Sequence, residues 1–263
     1  AGFLSTTNLS TLNVLATAGV ANPVNFVGSS LGTLNLNMGA TSTFALGNDL
    51  TVSMSLNLQN GLLVLGGHNI HITGDIAAGG SGKLVSTNAS NVYLVGTMSP
   101  SGSLTFDNSG NSVSSIIINE GAGNSVSLAS TLNVEGIMNL VGGSICNIQG
   151  DTLNIATTGR IIGSGALGIN SASALNMLTN SGGTIGPLNF SGDSIGTFHI
   201  NLGTIHQLLL GSNLNVMTMM NLESGEFVLS GHNLGVYGDI AAGNMGMIST
   251  QWGSKMQVNT SVT

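Results

Sequence analysis

The sequence predicts an all-β protein, a β-solenoid resembling a parallel β-helix and built from about three 82-residue repeats. Three observations support this fold class. Similar segments recur at a fixed spacing, apolar residues alternate with polar ones in short runs, and the helix-favouring residues Glu, Lys and Arg are nearly absent. Since charged residues make up only 5% of a chain with 40 glycines, strands and tight turns suit the composition better than helices do.

The repeat is clearest in one block of the chain. The segment 46–61 returns at 128–143 and again at 210–225, and the two steps are equal (128 − 46 = 82 and 210 − 128 = 82). The positions that agree in all three copies are Leu46, Leu128 and Leu210; Leu50, Leu132 and Leu214; Val52, Val134 and Val216; Asn57, Asn139 and Asn221; and Gly61, Gly143 and Gly225. Agreement at several independent positions indicates one repeated structural unit.

A second block keeps the same spacing. "NFVGSSLGTLNLN" (25–37) is matched by "NFSGDSIGTFHIN" (189–201) at twice the step, and the middle copy, "DNSGNSVSSIIIN" (107–119), keeps its apolar positions in register. We therefore assign residues 1–263 to a single continuous repeat domain. Its approximate units are 1–45 (partial), 46–127, 128–209 and 210–263 (partial).

Short strands are predicted within each unit, because apolar residues alternate with period two and therefore share one buried face. In the first unit the alternating runs are Leu50, Val52, Met54, Leu56 and Leu58, then Leu63 and Leu65, then Ile70 and Ile72. Clusters of Gly, Asn and Ser between the runs predict corners. At roughly 20–27 residues per coil, an 82-residue unit would hold three or four coils.

The charge balance excludes two classes of partner. The net charge is −7, and the only basic residues are Lys83, Arg160 and Lys255. Three cations cannot track nucleic-acid phosphates or an anionic membrane surface. No stretch of apolar residues is long enough to predict membrane insertion. The single cysteine, Cys146, lies in an apolar run and is expected to be a small buried hydrophobe.

A histidine-containing segment is the first candidate site. "GHNIHITGDIAAG" (67–79) recurs as "GHNLGVYGDIAAG" (231–243), two repeat lengths later (231 − 67 = 2 × 82). His68, His71 and Asp75 are residue types that bind zinc. The later copy lacks the second histidine, however, and residues three apart on a strand point to opposite faces. We therefore expect corner or surface histidines there and no metal site.

Two acidic residues are the second candidate site. Glu223 and Glu226 could form a glycosidase pair, which needs two carboxylates about 5–9 Å apart. Their equivalents in the first unit are Gln59 and Leu62. Because Glu223 and Glu226 flank a Ser-Gly turn, the favoured interpretation is that they are turn residues. The glycine-rich segment 79–82 lacks the ending of a phosphate loop and is predicted to be a turn. We nominate no catalytic, cofactor-binding or metal-binding residue and expect no cofactor.

The ends of the chain carry no recognisable cap. Residues 1–10, "AGFLSTTNLS", have neither the basic nor the apolar region of a signal peptide. Residues 257–263, "QVNTSVT", are predicted to be an apolar alternating strand. Because the ends of a solenoid expose unpaired strand edges, the expected partners are neighbouring repeats of a longer chain or fibre, or capping partners at the ends.

Three phrases carry a resemblance to known proteins. "LGSNLNVMTMMNLESGEFVLSGHNL", "GDIAAG" and "LNFSGDSIGTFHIN" resemble the repeat regions of giant surface proteins in Bacteroidota, and this resemblance extends over essentially the whole chain. It implies secretion to the bacterial cell surface and a role as an adhesin or filament, in some cases in gliding motility. No C-terminal sorting domain is recognised here, so the resemblance does not specify the export route.

The function expected from these observations is a non-catalytic structural module. It would be a stiff stalk in a bacterial surface fibre or adhesin, with weak multivalent binding of glycans by its Ser, Thr and Asn side chains. One alternative is an autotransporter-like passenger, which a membrane-barrel domain downstream in the gene would identify. The other alternative is a polysaccharide-degrading β-helix enzyme, although three dispersed basic residues cannot form a groove for acidic polysaccharides.

Overall fold

The chain forms a parallel β-solenoid of about 11 turns with about 1% helix, which confirms the predicted fold class. The structure is a computed structural model and describes residues 2–19, 22–180 and 183–259. Every pairing between the described strands is parallel, as stacked coils require. In the described part of the chain, no helix is long and apolar enough to cross a membrane.

The strands are short in most coils and longer where one strand turns a corner. The first ten are β1 Phe3–Ser5, β2 Thr11–Val14, β3 Asn25–Val27, β4 Ser30–Asn37, β5 Thr43–Ala45, β6 Leu50–Asn60, β7 Leu62–Val64, β8 Ile70–Ile72, β9 Asp75–Ile76 and β10 Lys83–Ser86. The next nine are β11 Asn91–Val95, β12 Ser103–Leu104, β13 Phe106–Asn119, β14 Ser125–Leu128, β15 Leu132–Leu140, β16 Ile145–Asn147, β17 Thr152–Ile155, β18 Arg160–Gly163 and β19 Ala166–Gly168. The last nine are β20 Ala174–Met177, β21 Thr184–Leu188, β22 Phe190–Ser191, β23 Ser194–Asn201, β24 Gln207–Leu210, β25 Leu214–Val228, β26 Asn233–Val236, β27 Asp239–Ser249 and β28 Lys255–Val258. One 3₁₀ turn spans Val141–Gly143.

Each coil contributes one strand segment to each of three ladders, which are stacks of parallel strand segments on the three faces of the column. We name these ladders A, B and C. One coil passes from Leu50 (ladder A) through Leu56 (ladder B) and Leu63 (ladder C), and returns to ladder A at Ile70, which pairs with Leu50. In residue numbering, the steps between paired positions range from 19 (Phe44 to Leu63) to 25 (Ser86 to Asn111, at a bulge). The coil length predicted from sequence therefore agrees with the structure.

The three ladders can be followed through the registers of successive strands. Ladder A contains Leu50, Ile70, Val92, Ile116, Met138 and Ile161. Ladder B contains Leu12, Leu34, Leu56 and Ile76, then Val126, Cys146, Leu167 and Phe190, then Leu214, Leu234 and Met256. Ladder C contains Phe44, Leu63, Leu84 and Phe106, then Leu132, Leu153, Leu175, Phe198, Met220 and Ile240.

The inward side chains of the ladders form one continuous apolar core. Alternate residues of each strand point inward, so the period-two pattern of the sequence becomes a column of Leu, Ile and Val. Near the C-terminal end three aromatic rings extend the column. Phe198 packs edge-on against Phe190 and Phe227, with ring centroids 6.4 and 5.5 Å apart. The core therefore stabilises each coil through its neighbours above and below.

The coil is the repeating unit of the structure, and its register differs from that of the sequence repeat. Met138 lies one sequence repeat after Leu56 (138 − 56 = 82) but belongs to the ladder of Leu50. Met220, one further repeat along the chain, belongs to the ladder of Leu132. Equivalent residues of the sequence repeat therefore face different sides of the column, and the number of 82-residue units stays a prediction.

A count of strand segments explains this rotation. The eleven segments from Leu50 up to Leu132 are represented by Leu50, Leu56, Leu63, Ile70, Ile76, Leu84, Val92, Leu104, Phe106, Ile116 and Val126. With three segments per coil, one sequence repeat spans three coils and two-thirds of a fourth. Each repeat therefore begins on a different ladder from the one before it.

The first and last described coils expose apolar side chains. Strand β1 pairs only with β3, and β28 pairs only with β26, among the described strands. Phe3 and Leu9 are exposed near one end, and Trp252 and Val258 near the other. The predicted strand at 257–263 is observed only as far as Val258, and residues 260–263 lie outside the described part of the chain.

Candidate functional site

The two histidines of the first candidate site have separate partners. The ring of His71 stacks on Tyr93, one coil further along ladder A, with ring centroids 4.0 Å apart and planes inclined by 4°. Burial lowers the pKa of His71, which favours the neutral ring in this stack. His68 lies at a corner, where its Nδ1 is 3.8 Å from Oδ1 of Asp49. The histidines thus occupy surface and corner positions, as the sequence predicts.

The aspartate of the same segment is engaged elsewhere. Asp75 accepts a hydrogen bond from the backbone N–H of Ser101 at 2.6 Å and another from the Ser101 hydroxyl at 2.8 Å. His68, His71 and Asp75 therefore do not converge. Within residues 2–19, 22–180 and 183–259, no three His, Cys, Asp or Glu side chains are grouped so that they could hold a metal ion.

The two glutamates of the second candidate site also have different partners. Oε2 of Glu223 is 3.0 Å from Nε2 of His199. Glu226 accepts hydrogen bonds from the Ser249 hydroxyl and the Gln207 amide, and these bonds lower its pKa. The register of β25 shifts between Leu222 and Ser224, so the strand bends between the two glutamates. They thus belong to different strand segments, each bound to its own neighbours.

Two further sequence predictions concern structural residues. Cys146 is fully buried in ladder B between Val126 and Leu167, and burial raises the pKa of its thiol to about 12. The segment 79–82 lies in the corner between β9 and β10, where residues 78–79 form a turn. A Cβ added to Gly80 would overlap with the carbonyl oxygen of Leu58, so the close approach of two coils requires glycine there.

Asparagine side chains form an external ladder that the sequence analysis did not identify. Along ladder C, Asn133 donates from its side-chain amide to Asn111 at 2.8 Å, Asn154 donates to Asn133 at 2.6 Å, and Asn176 donates to Asn154 at 2.6 Å. The signal was present as four asparagines that follow one another at the coil spacing. A search at that spacing would have found them, whereas the 82-residue spacing does not relate these four positions to one another.

A cavity of about 420 Å³ lies at the corner between ladders A and B. Corners of successive coils form it, and its wall includes the loop 97–101. Hydrogen bonds at three of its residues, Thr97, Ser99 and Ser101, hold this loop. Asn124 donates to the carbonyl oxygen of Thr97 at 3.0 Å, the backbone N–H of Ser125 donates to Ser99 at 2.8 Å, and Ser101 is bound by Asp75. The wall is therefore fixed to the coils on both sides.

Glu120 is the one buried carboxylic acid that lines this cavity. The residue is 3% exposed, and burial raises the pKa of its side chain because the charged form loses hydration. Its backbone is well bonded, since its N–H donates to Ser144 Oγ at 2.9 Å and its carbonyl oxygen accepts from Asn124 at 2.7 Å. Its carboxyl group accepts no hydrogen bond from any residue that the structure describes.

Comparisons with known proteins add no further information on the site. No protein-family model matches this sequence. Neither the curated proteins nor the solved structures give a significant match. The function is therefore argued below from the geometry of this chain and from the sequence pattern.

Proposed function

We propose that this chain is a non-catalytic structural module of a bacterial cell-surface fibre or adhesin, in which it acts as a stiff stalk. The observation that carries the proposal is the continuous apolar core, which the ladders extend from coil to coil. Ladder A alone links Leu50 to Ile161 through six successive paired residues. A column with one core has no hinge between separately folded parts, which is the property that a spacer requires.

The direction of the hydrogen bonds supports stiffness. In parallel stacked strands the backbone hydrogen bonds run along the axis, so bending or stretching the column strains many of them together. With about 11 turns at a strand spacing of ~4.8 Å, the column is about 50 Å long. A fibre made of many such segments would place a binding domain far from the cell surface.

The exposed end coils support the proposed partners, which are neighbouring repeats or capping partners. Leu4 is 40% exposed in the first described strand, and all four residues of β28 are exposed in the last. Both strands have an unpaired edge among the described residues, and such an edge can pair with another parallel strand. A further coil stacked on either end would bury these side chains and extend the ladders.

The external amides support weak multivalent binding of glycans. Within its ladder, Asn154 donates one N–H to Asn133 and accepts one from Asn176. An amide has two N–H groups and two acceptor lone pairs, so half of its bonding capacity remains for a ligand. Sugar hydroxyls both donate and accept, and repeated sites along the column would raise the avidity of individually weak contacts.

Immunogold labelling tests the proposed location. Antibodies raised against this chain should label the outside of intact cells that express the gene, and in negatively stained samples they should label extended filaments. Label found only after the cells are permeabilised would contradict the surface role. A glycan array probed with the multimeric chain tests the binding component separately, since absence of signal would remove glycan binding and leave the spacer.

A polysaccharide screen tests the non-catalytic part of the proposal. Neutral and acidic polysaccharides are incubated with the protein, and newly formed reducing ends and unsaturated ends are measured. We expect no products above the level of a heat-denatured sample. Products that disappear in Glu223→Gln or Glu226→Gln would instead support the alternative of a β-helix enzyme.

A further inference from the structure

The carboxyl group of Glu120 is aimed into a cavity and has no protein partner among the described residues. The residue is 3% exposed, and its carboxyl oxygens form no hydrogen bond with that part of the chain, although its backbone groups do. No buried side-chain oxygen of the described residues lacks a partner, so the carboxyl oxygens of Glu120 keep contact with solvent in the cavity, while burial of the rest of the residue costs the group part of its hydration. Such a group in a concave site is a candidate for ligand binding.

The fold itself does not require an acid at this position. In the 82-residue register of the sequence, Glu120 corresponds to Met38 and Leu202 (120 − 38 and 202 − 120), and the following residue is glycine in all three copies. Met38 is 3% exposed and Leu202 is 0% exposed, so both equivalents are ordinary core side chains. An apolar residue thus occupies the equivalent sequence position twice, at other corners of the column, and only the copy beside the cavity carries a carboxyl group.

The neighbouring backbone leaves room for this carboxyl group. Gly96 lies directly against it, and a Cβ added to Gly96 would overlap with Oε2 of Glu120. The N–H of Gly96 donates to the carbonyl oxygen of Asn119 at 3.0 Å, which holds the glycine in place. Any other side chain at position 96 would displace the Glu120 carboxyl group from its present position.

The lining residues indicate the charge of the ligand. None of the described residues that line the cavity is Lys, Arg or His, and the only other acidic one is Asp75. Both carboxylate oxygens of Asp75 already accept hydrogen bonds from Ser101. One free carboxylate neutralises a single positive charge, whereas Ca²⁺ and Mg²⁺ need six or more oxygen ligands, several of them charged.

The rest of the wall indicates an organic ligand. Met54 and Met98 are 56% and 76% exposed, and with Pro100 they give the cavity an apolar side. Serine and threonine hydroxyls of the lining can donate to or accept from polar groups of a ligand. A volume of about 420 Å³ lies within the range of small-molecule sites. We propose that this cavity binds a small organic molecule through a protonated primary amine, with Glu120 as its counter-charge.

Titration calorimetry with defined amines tests the proposal. The probes are glucosamine and n-butylamine, and glucose and n-butanol are their uncharged counterparts. We expect saturable binding of at least one amine and no binding of its uncharged counterpart. Binding of glucosamine alone would assign an amino sugar, and binding of n-butylamine alone would assign a linear amine. Absence of binding by both amines, or equal binding of the uncharged probes, would overturn the proposal.

Variants distinguish this site from general attraction to an acidic protein. Glu120→Gln keeps the size of the side chain and should weaken amine binding about tenfold or more, because a charge-assisted hydrogen bond is lost. Glu120→Met copies Met38 and should abolish binding while the chain still folds, as circular dichroism would show. Glu223→Gln removes an exposed carboxylate and should leave binding unchanged. Equal weakening by Glu223→Gln, or tighter binding of Ca²⁺ than of either amine at the same site, would contradict the assignment.

This inference is independent of the proposed function. A stalk without an amine site would still label the cell surface and show the expected rigidity. An amine site would equally be found on a chain that has some other location.

Discussion

At the scale of single residues, Glu120 is an acid in a largely buried position beside a cavity. Its equivalents in the sequence register, Met38 and Leu202, are apolar and buried at other corners of the column, whereas Glu120 is a buried acid. Burial raises its pKa, so the folded protein holds the proton more tightly than the unfolded chain does. The contribution of Glu120 to the free energy of unfolding should therefore fall as pH rises, whereas that of a salt-bridged carboxylate increases.

We expect Glu120→Met to stabilise the fold at pH 7 by about 1 kcal/mol, the low end of the cost of burying a polar group, because the carboxyl oxygens of Glu120 keep contact with solvent. Because the pKa of Glu120 is raised in the folded state, the contribution of its protonation to wild-type stability is fully present below the unfolded-state pKa. That contribution is lost as pH rises through the folded-state pKa. Urea unfolding from pH 3 to pH 8 measures this. The increase in the free energy of unfolding of Glu120→Met over wild type should be small at pH 3 and should grow as the pH rises.

The control for this prediction is Glu135→Gln, which removes the same charge at a partly exposed position. It should change stability little at any of these pH values. Asp75 is the other titratable residue of the cavity wall, so Asp75→Asn is measured alongside to separate its contribution. A Glu120→Met variant that is less stable than wild type at pH 7 would contradict the assignment of an unpartnered acid.

Glycines at corners are a second feature of the residue scale. Gly79 has φ +85° with open space around its Cβ position, whereas a Cβ on Gly80 would overlap with the Leu58 carbonyl oxygen. We expect Gly79→Ala to cost about 1–2 kcal/mol through backbone strain alone. Gly80→Ala should cost about 2–4 kcal/mol because two coils must separate. Thermal unfolding of both variants gives the comparison, and an equal cost would mean that the coils are not in close contact here.

At the scale of elements, the outer amide ladder joins coils that the apolar core already joins from inside. Asn154 takes part in two of its hydrogen bonds, with Asn133 and Asn176. We expect Asn154→Ala to destabilise the protein by about 1–2 kcal/mol, since two modest hydrogen bonds are lost. Guanidinium unfolding monitored by circular dichroism measures the change.

The matched control is Asn13→Ala, because Asn13 is exposed and has one amide partner, Asn35, at 2.7 Å. Loss of this hydrogen bond in Asn13→Ala should lower the free energy of unfolding by about 0.5 kcal/mol, near the low end for a single exposed hydrogen bond. A double-mutant cycle of Asn133 and Asn154 then isolates their interaction. Additive effects of the two substitutions would contradict a direct amide contact.

The elements also show what a sequence of this kind predicts well. The alternating run from Leu50 to Leu58 is observed within β6 except at Met54, because period two follows directly from the geometry of a strand. The expectation that Met54 shares the buried face was wrong: it lies at the corner between ladders A and B and is 56% exposed. The corner at 79–82 and the burial of Cys146 follow from equally local properties. These features could be predicted because each depends on a few neighbouring residues.

The register of one coil against the next could not be predicted in the same way, because it depends on the length of each corner. Val92 pairs with Ile116, a step of 24 in the numbering, whereas Leu50 pairs with Ile70, a step of 20. The cavity beside Glu120 was missed for the same reason. Gly96 and Glu120 are distant in sequence, and only the stacking of their coils brings them together.

At the scale of the whole molecule, the sequence repeat and the coil combine into an architecture with rotating faces. Successive copies of one sequence position occur on different ladders, as Leu56, Met138 and Met220 do. A side chain that recurs once in every sequence repeat is therefore distributed around the column. We infer that such an array presents similar surfaces in several directions, which suits a fibre that meets partners from all sides.

The column itself is tested most directly by distances between spin labels in solution. Asn13 and Gln257 are exposed and lie near the two ends of ladder B, and Ser127 lies between them. Cys146 is fully buried and should not react with the label. Labels are introduced in pairs as Asn13→Cys, Ser127→Cys and Gln257→Cys, and double electron–electron resonance measures each separation.

A continuous column of about 11 turns at ~4.8 Å predicts about 53 Å between the labels at positions 13 and 257. The same spacing predicts about 24 Å between the labels at positions 13 and 127 and about 29 Å between those at positions 127 and 257. The distributions should be narrow, and the two shorter distances should add up to the longest. A broad distribution, or a longest distance well below that sum, would show folded parts connected by a hinge and would contradict the stiff stalk.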